Sequence, residues 1–205
     1  GGQRGALVSD AGTPLVSDPG LKLVEDVKNQ GIKVTPIPGV SAPITALMVA
    51  GIPSDRFLFD GFLPSKSGAR IKALELLGNI PATLIFFESP KRLSASLSDM
   101  IGVFGENRRA SVCRELTKLF EEVKLDTLKN LHNYYSKSNV KGEIVILVEP
   151  PQIKKTEEIE AEAILKTALQ TLSTKEASHV GAYLTGLPRK QLYKMALGLK
   201  SVKRD

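Results

Sequence analysis

Along the first fifty residues, short apolar runs alternate with stretches of helical period. A-L-V-S (6–9) and I-K-V-T-P-I (32–37) predict strands. L-K-L-V-E-D-V-K-N-Q (21–30) predicts an amphipathic helix stopped by Gly31, and S-A-P-I-T-A-L-M-V-A (41–50) a largely buried helix closed by Gly51. Strands separated by helices of this length imply right-handed parallel crossovers. Two strands make a poor sheet, so the segment reads as the back half of a domain whose front half precedes Gly1. The opening G-G-Q-R-G, with no initiator Met, fits that expectation.

The pattern changes after G-I-P-S-D (51–55). Strands are predicted at 56–62, 82–88, 110–116, 120–125 and 143–149, with helices at 67–78, 91–104 and 126–137. The last three strands have short or single-helix connections, which predicts a mixed sheet with antiparallel pairs. P-P-Q-I-K-K (150–155) has the composition of a linker. Beyond it lie helices at 157–172, from the capping box Ser173-x-x-Glu176 to Thr185, and, after the turn Gly186-Leu187-Pro188, from Arg189 to Leu199. The fold class is therefore α/β: an incomplete first domain (1–53), a second with a mixed sheet (54–150), and a small helical, helix-turn-helix-like region (151–205).

Composition narrows the chemistry. With 42% hydrophobic residues the chain can build a core, yet no apolar run is long enough to span a bilayer, and no secretory signal is visible. One cysteine, Cys113, excludes an internal disulfide framework, fits a reducing cytosol and reads as a buried structural thiol. His132 and His179 are isolated and read as polar surface residues, so no metal site is expected. The net charge of +6 favours an anionic partner. Its distribution is lopsided: from Ser173 to Arg204 there are seven basic residues and a single acid, Glu176.

Three strand-to-helix turns combine a capping residue with an early proline: Asp18-Pro19, Ser41-x-Pro43 and Ser89-Pro90. Each alone simply caps a helix. Together on one sheet edge they would form a ligand site, because loop amides and helix N-termini gather there. The loop S-D-A-G-T-P-L-V-S-D-P-G (9–20) is rich in small residues that let a ligand press on backbone. It matches neither the dinucleotide-binding glycine fingerprint nor the phosphate loop. The residues by themselves thus indicate a small-ligand loop without naming the ligand.

That loop, with P-I-P-G-V-S-A-P-I-T-A-L (36–47) and G-I-P-S-D-R-F-L-F-D-G-F-L-P (51–64), resembles the ribosomal RNA small-subunit methyltransferase I family. The likeness continues through F-F-E-S-P-K-R-L (86–93), R-E-L-T-K (114–118), K-G-E-I-V-I-L-V-E (141–149) and T-K-E-A-S…L-Y-K-M-A-L (174–197). This family falls in the tetrapyrrole-methylase-like class of S-adenosylmethionine enzymes. The resemblance implies two α/β domains clasping S-adenosyl-L-methionine and 2′-O-methylation of a cytidine ribose in 16S ribosomal RNA. It also implies a cytoplasmic homodimer acting on the small ribosomal subunit. By the same resemblance Asp10, Ala11, Gly12, Thr13, Gly39, Ser41 and Ala42 line the cofactor from the first domain. Phe87, Glu88, Leu116 and Thr117 do so from the second. Family members carry a further strand, a T-P-I-G-N-L-like loop and an E-D-T-R-like motif before S-D-A-G-T-P.

Methyl transfer from a sulfonium to a ribose oxygen needs alignment, exclusion of water and a base or cation near a weakly acidic hydroxyl; it needs no metal. Glu88, Glu115, Lys118 and Asp10 are the candidates, with Glu115 and Lys118 preferred as catalytic residues and a surface ion-pair group of Arg114, Glu115 and Lys118 as the alternative. Arg189, Lys190 and Lys194 are the expected RNA contacts, to phosphate rather than to bases. Two rivals stay open: a tetrapyrrole or other small-molecule methyltransferase of the same fold, and a non-catalytic RNA-binding fragment.

Overall fold

The computed structural model describes residues 4–9, 12–151 and 155–201. The chain divides into two compact units, Gly1–Pro151 and Gln152–Asp205. The boundary expected at residue 53 falls inside the first of these.

The first unit is organised by one five-stranded sheet in the order β1-β2-β5-β3-β4. Its strands are β1 (Phe57–Phe62), β2 (Thr83–Glu88), β3 (Arg109–Arg114), β4 (Glu122–Thr127) and β5 (Ile144–Val148). β1 and β2 run parallel, while the β2–β5, β5–β3 and β3–β4 pairs are antiparallel. The expected mixed sheet is therefore present. In register, Glu88 and Arg114 both oppose Ile144, so the C-terminal ends of β2 and β3 and the start of β5 share one edge.

Strand alternation sorts the side chains into two cores. Leu84, Phe86, Val112, Ile144 and Ile146 face α3 (Ser67–Leu77), α4 (Leu93–Phe104) and α5 (Leu128–Tyr135) and pack with Leu74, Leu97 and Leu131. On the opposite face Ile85, Cys113, Val145 and Leu147 meet Ala46 and Ala50 of the second helix, α2 (Ala42–Val49) and its end. Small alanines let α2 lie close to the sheet. A bulge interrupts β1 between Phe59 and Gly61. The extra residue, Asp60, restores the facing of the strand beyond it. Phe59 and Phe62, three positions apart, consequently both pack on Phe87, with ring centroids 4.8 and 5.4 Å away.

The N-terminal segment departs from expectation. Helix α1 (Leu21–Asn29) forms and ends in a Schellman motif, with Ile32 N–H donating to Val27 O and Gly31 N–H to Lys28 O. Gly31 supplies the left-handed residue at φ 73°. Neither 6–9 nor 32–37, however, is a strand. A strand exists only through a ladder partner, and neither segment has one among the described residues. Helix α1 has no buried residue.

The second unit contains α6 (Lys155–Ala168), α7 (Thr174–Thr185) and α8 (Arg189–Ser201). Both arms of the capping box between Ser173 and Glu176 are made. Its core is Ala161, Leu165, Ala177, Leu187, Leu192 and Ala196. Gly181 makes room for it: a Cβ there would sit 3.3 Å from Leu165 and 3.5 Å from Leu192. No helix among the described residues is long and apolar enough to cross a membrane.

Candidate active site

A cleft of about 500 Å³ opens at the shared sheet edge of the first unit. One set of lining residues comes from the loop before α1 and from the loop and first turns that open α2: Gly12, Thr13, Asp18, Ser41, Ala42 and Thr45. The other comes from the strand ends, including Phe62, Phe87, Leu116, Thr117, Lys118 and Glu143. Thr13 Oγ1 donates to Val40 O at 2.9 Å, which ties the two loops of the first set together.

All three proline-containing turns reach this cleft through Asp18, Ser41-x-Pro43 and Ser89-Pro90. Only one is the helix cap expected of it. The N-cap of α2 is Ser41, with Pro43 in the first turn, but the Ser41 side chain makes no capping bond. Helix α1 instead starts after Gly20, and α4 after Arg92. Asp18 and Ser89 therefore lie in the loops preceding their helices, and the α2 first-turn amides lack a side-chain cap.

Backbone strain concentrates here. Among the described residues, the non-glycine positions at positive φ are Leu15, Ser17, Glu115 and Thr117. Ser17 and Thr117 line the cleft, and Leu15 and Glu115 lie two residues from them. Such conformations cost roughly 1–3 kcal/mol each and collect where a loop is shaped for function. Glu115 at φ 50° also explains why β3 stops at Arg114, short of the expected 116.

The R-E-L-T-K loop is clamped to K-G-E (141–143). Glu115 N–H donates to Glu143 O at 2.9 Å, and Glu143 N–H donates to Glu115 Oε1 at 2.8 Å. Lys118 Nζ bridges Glu115 Oε1 and Glu143 Oε2, each at 2.9 Å. A side chain at Gly142 would collide with the Glu115 carboxylate, so the close approach requires glycine. The Glu143 backbone N–H and then Lys118 hold the Glu115 carboxyl below its ordinary value. The Glu143 and Glu115 carboxylates hold the Lys118 ammonium above its own. Both groups stay charged near neutrality, so Lys118 is a cation rather than a proton acceptor. Arg114 pairs through Nε with Glu122 Oε2 at 3.1 Å, and its Nη1 donates to Lys141 O at 3.3 Å on the same K-G-E segment.

Glu88 behaves otherwise than a base in the cleft would. Alternation puts its side chain on the helix-covered face with Leu84 and Phe86. There Oε1 accepts Ser89 N–H at 2.7 Å, while Oε2 accepts from Ser96 Oγ and from Arg92 Nη2, the latter at 3.3 Å. Arg92 Nε lies 3.1 Å from Oε1 but is not aligned to donate. The carboxylate holds the β2–α4 turn in shape.

Of the residues expected at the site, Gly12, Thr13, Ser41, Ala42, Phe87, Glu88, Leu116, Thr117 and Lys118 line the cleft. Glu115 adjoins it through Lys118. Gly39 does not line it, and Asp10 and Ala11 lie outside the described residues. The residues the sequence did not single out include Thr45, Phe62 and Glu143; the last was signalled only by its place in K-G-E. Cys113 also reaches the cleft, where burial raises its thiol to about 11, a structural and unreactive state. Among the described residues no cluster of His, Cys, Asp and Glu is arranged to hold a metal ion.

The C-terminal unit has its own cleft, lined by Lys175, Arg189, Lys190 and Tyr193. Lys194, the third expected RNA contact, is exposed on α8 and does not line it.

Comparison with known proteins agrees with this architecture. The family of tetrapyrrole (corrin/porphyrin) methylases matches residues 1–132, and the RsmI C-terminal HTH domain matches residues 155–200. Ribosomal RNA small subunit methyltransferase I of Mesorhizobium japonicum is 48% identical over 201 residues, covering 98% of this chain and 68% of its own. The protein of that name from Pseudomonas aeruginosa is 48% identical over 202 residues, covering 96% of this chain and 72% of its own. Among solved structures, the methyltransferase CobJ gives a TM-score of 0.53 at 18% identity, over 68% of this chain and 62% of that one. Diphthine synthase gives 0.51 at 18% identity, over 72% and 61%. At such identities the two structures speak to the fold alone. With its family pattern over residues 1–132 and relatives at 48% identity, the chain belongs to the tetrapyrrole methylases and, within them, to the ribosomal RNA small subunit methyltransferase I family.

Proposed function

We propose that this protein catalyses S-adenosyl-L-methionine-dependent methylation of small-subunit ribosomal RNA, at the 2′-oxygen of a cytidine ribose. The observation that carries the proposal is the cleft itself, where small-residue loops and the R-E-L-T-K clamp meet in one chain with a basic helical unit. Residues 1–53 and 54–150 act as the two cofactor-holding parts, and 151–205 as the RNA-docking part.

The cleft fits a nucleoside-sized cofactor. About 500 Å³ lies within the range of small-molecule sites. A Cβ on Gly12 would meet nothing within 4 Å, so that backbone is open to a ligand. The uncapped first turn of α2 offers N–H donors, and Phe62 and Phe87 offer apolar surface. Gly12, Thr13, Ser41, Ala42, Phe87, Leu116 and Thr117 hold the cofactor in this proposal, with Glu88 contributing through the turn it stabilises. When bound, the cofactor supplies a methyl group activated by a sulfonium.

The chain's own residues orient the acceptor and shape the field around it. Phe62, Phe87 and Leu116 exclude water from the reacting oxygen. Lys118 stays protonated and stabilises negative charge developing at the ribose oxygen. As the O–CH3 bond forms and the C–S bond breaks, the hydroxyl proton is released to solvent, leaving S-adenosylhomocysteine as the second product. Glu115 and Glu143 fix its position. Arg189, Lys190 and Lys194 contact RNA phosphates, and the active species is a cytoplasmic homodimer on the small ribosomal subunit.

Tritiated methyl transfer tests this reading. Label should enter isolated small ribosomal subunits and not a tetrapyrrole acceptor supplied in parallel. Labelling of the tetrapyrrole alone would replace the proposal with its small-molecule rival.

A further inference from the structure

In the C-terminal unit, Lys175, Arg189, Lys190 and Tyr193 line one shallow cleft of about 470 Å³. Lys175 belongs to the first turn of α7, and Arg189 and Lys190 to the first turn of α8. A helix begins with the positive end of its dipole, where cations are disfavoured and anions favoured. The first turn of α8 contains no acidic residue. Among the described residues, none of the three cations has a carboxylate within ion-pair distance. Glu176, the only acid between 173 and 204, is already engaged: its Oε2 accepts Ser173 N–H at 2.9 Å in the capping box. Three cations at two positive helix ends thus surround a cleft in which no described carboxylate balances them. Folding does not explain this placement; an anionic ligand does.

Tyr193 decides which anion. Tyr193 is 42% exposed at the cationic cleft it lines, although Leu192 beside it is fully buried. A phosphate needs no aromatic platform. A nucleotide does, because its base presents a π-face to stack while its phosphates take the cations. In a duplex those base faces are covered by neighbouring pairs, so the cleft selects unpaired residues.

We propose that this cleft is a subsite for one unpaired RNA nucleotide, with the base stacked on Tyr193 and the flanking phosphates held by Lys175, Arg189 and Lys190. The subsite rests on the RNA reading above and deepens it from general phosphate contact to single-strand selection.

The experiment measures binding of the chain to a short fluorescent single-stranded oligoribonucleotide, and to its duplex, by anisotropy over a salt series. Tyr193→Ala should weaken single-strand binding roughly 5- to 100-fold while Tyr193→Phe keeps it, and duplex binding should barely change. Replacing Lys175, Arg189 and Lys190 together by Ala should flatten the single-strand salt dependence by about two units, at ~0.7 per phosphate contact. Equal affinity of Tyr193→Ala and Tyr193→Phe, or an unaltered salt slope in a variant that keeps its circular-dichroism melt, overturns the subsite. So does competition by inorganic polyphosphate as effective as that by the oligonucleotide. Methyl transfer to subunits, run on the same wild-type chain, separates the two claims. Transfer with tyrosine-independent binding sinks the subsite alone, and tyrosine-dependent binding without transfer sinks the functional proposal alone.

Discussion

Lys118 Nζ lies 2.9 Å from Glu143 Oε2 and equally far from Glu115 Oε1, so one ammonium links the loop after β3 to the start of β5 at the rim of the cleft. The partners fix both the position and the charge of that ammonium. Replacing Lys118 by Ala should lower turnover roughly 10²-fold, the scale of one lost electrostatic donor, while cofactor affinity stays nearly constant. Calorimetry with S-adenosylhomocysteine beside single-turnover methyl transfer would check the split. Wild-type turnover in this variant would assign Lys118 to structure.

The same network sets a pH profile. Glu115 is held below its ordinary value of 4.5, so its contribution is full above that value and is lost as pH falls through the lower, folded value. Lys118 is held above its ordinary value of 10.5, so its contribution is full below that value and is lost as pH rises through the higher one. Single-turnover rates should therefore show no inflection from this pair between the two ordinary values. An inflection near neutrality that disappears in Lys118→Ala would contradict this account.

Gly142 is where backbone conformation and the clamp meet. Its φ of 92° disfavours any side chain, and an added Cβ would displace the Glu115 carboxylate. Gly142→Ala should cost roughly 1–2 kcal/mol of stability from the backbone alone. It should also reduce turnover, because Lys118 loses a fixed partner. Thermal unfolding and activity measured together would show both effects; a fully active variant would mean the clamp is dispensable.

Stability away from the cleft depends on another buried charge. Arg70 is 3% exposed, and its Nε donates to Asp99 Oδ2 at 2.7 Å, joining α3 to α4. Its Nη1 donates to the carbonyls of Pro64 and Ser65, both at 3.3 Å. Asp99→Ala leaves the guanidinium without its counter-charge and should destabilise the fold by about 3–5 kcal/mol in denaturant unfolding. Arg70→Met with Asp99→Ala should recover part of that loss.

The strands of the main sheet were legible because each carries a run of apolar residues bounded by turn residues. Their ends were less so. The ladder with β3 carries β4 on to Thr127, whose hydroxyl then accepts Asn130 N–H at the start of α5, two residues beyond the expected strand. The runs at 6–9 and 32–37 have the composition of strands, but composition does not provide a hydrogen-bonding neighbour. At the cleft, the small-residue loops were visible from glycine and proline content. Glu143 was not, since its importance comes from facing Lys118 across 25 positions of chain. Nor could the inward turn of Glu88 be read before strand register fixed its face.

The most direct test of the central claim is where the methyl group ends up. Small subunits labelled by this protein with tritiated S-adenosylmethionine would be stripped of protein and their RNA hydrolysed in alkali. A 2′-O-methyl group removes the internal nucleophile for cleavage, so the account predicts that the label emerges in an alkali-resistant dinucleotide with cytidine at its 5′ side. Label in mononucleotides would mean methylation of a base, and would contradict the assignment of the ribose oxygen as acceptor.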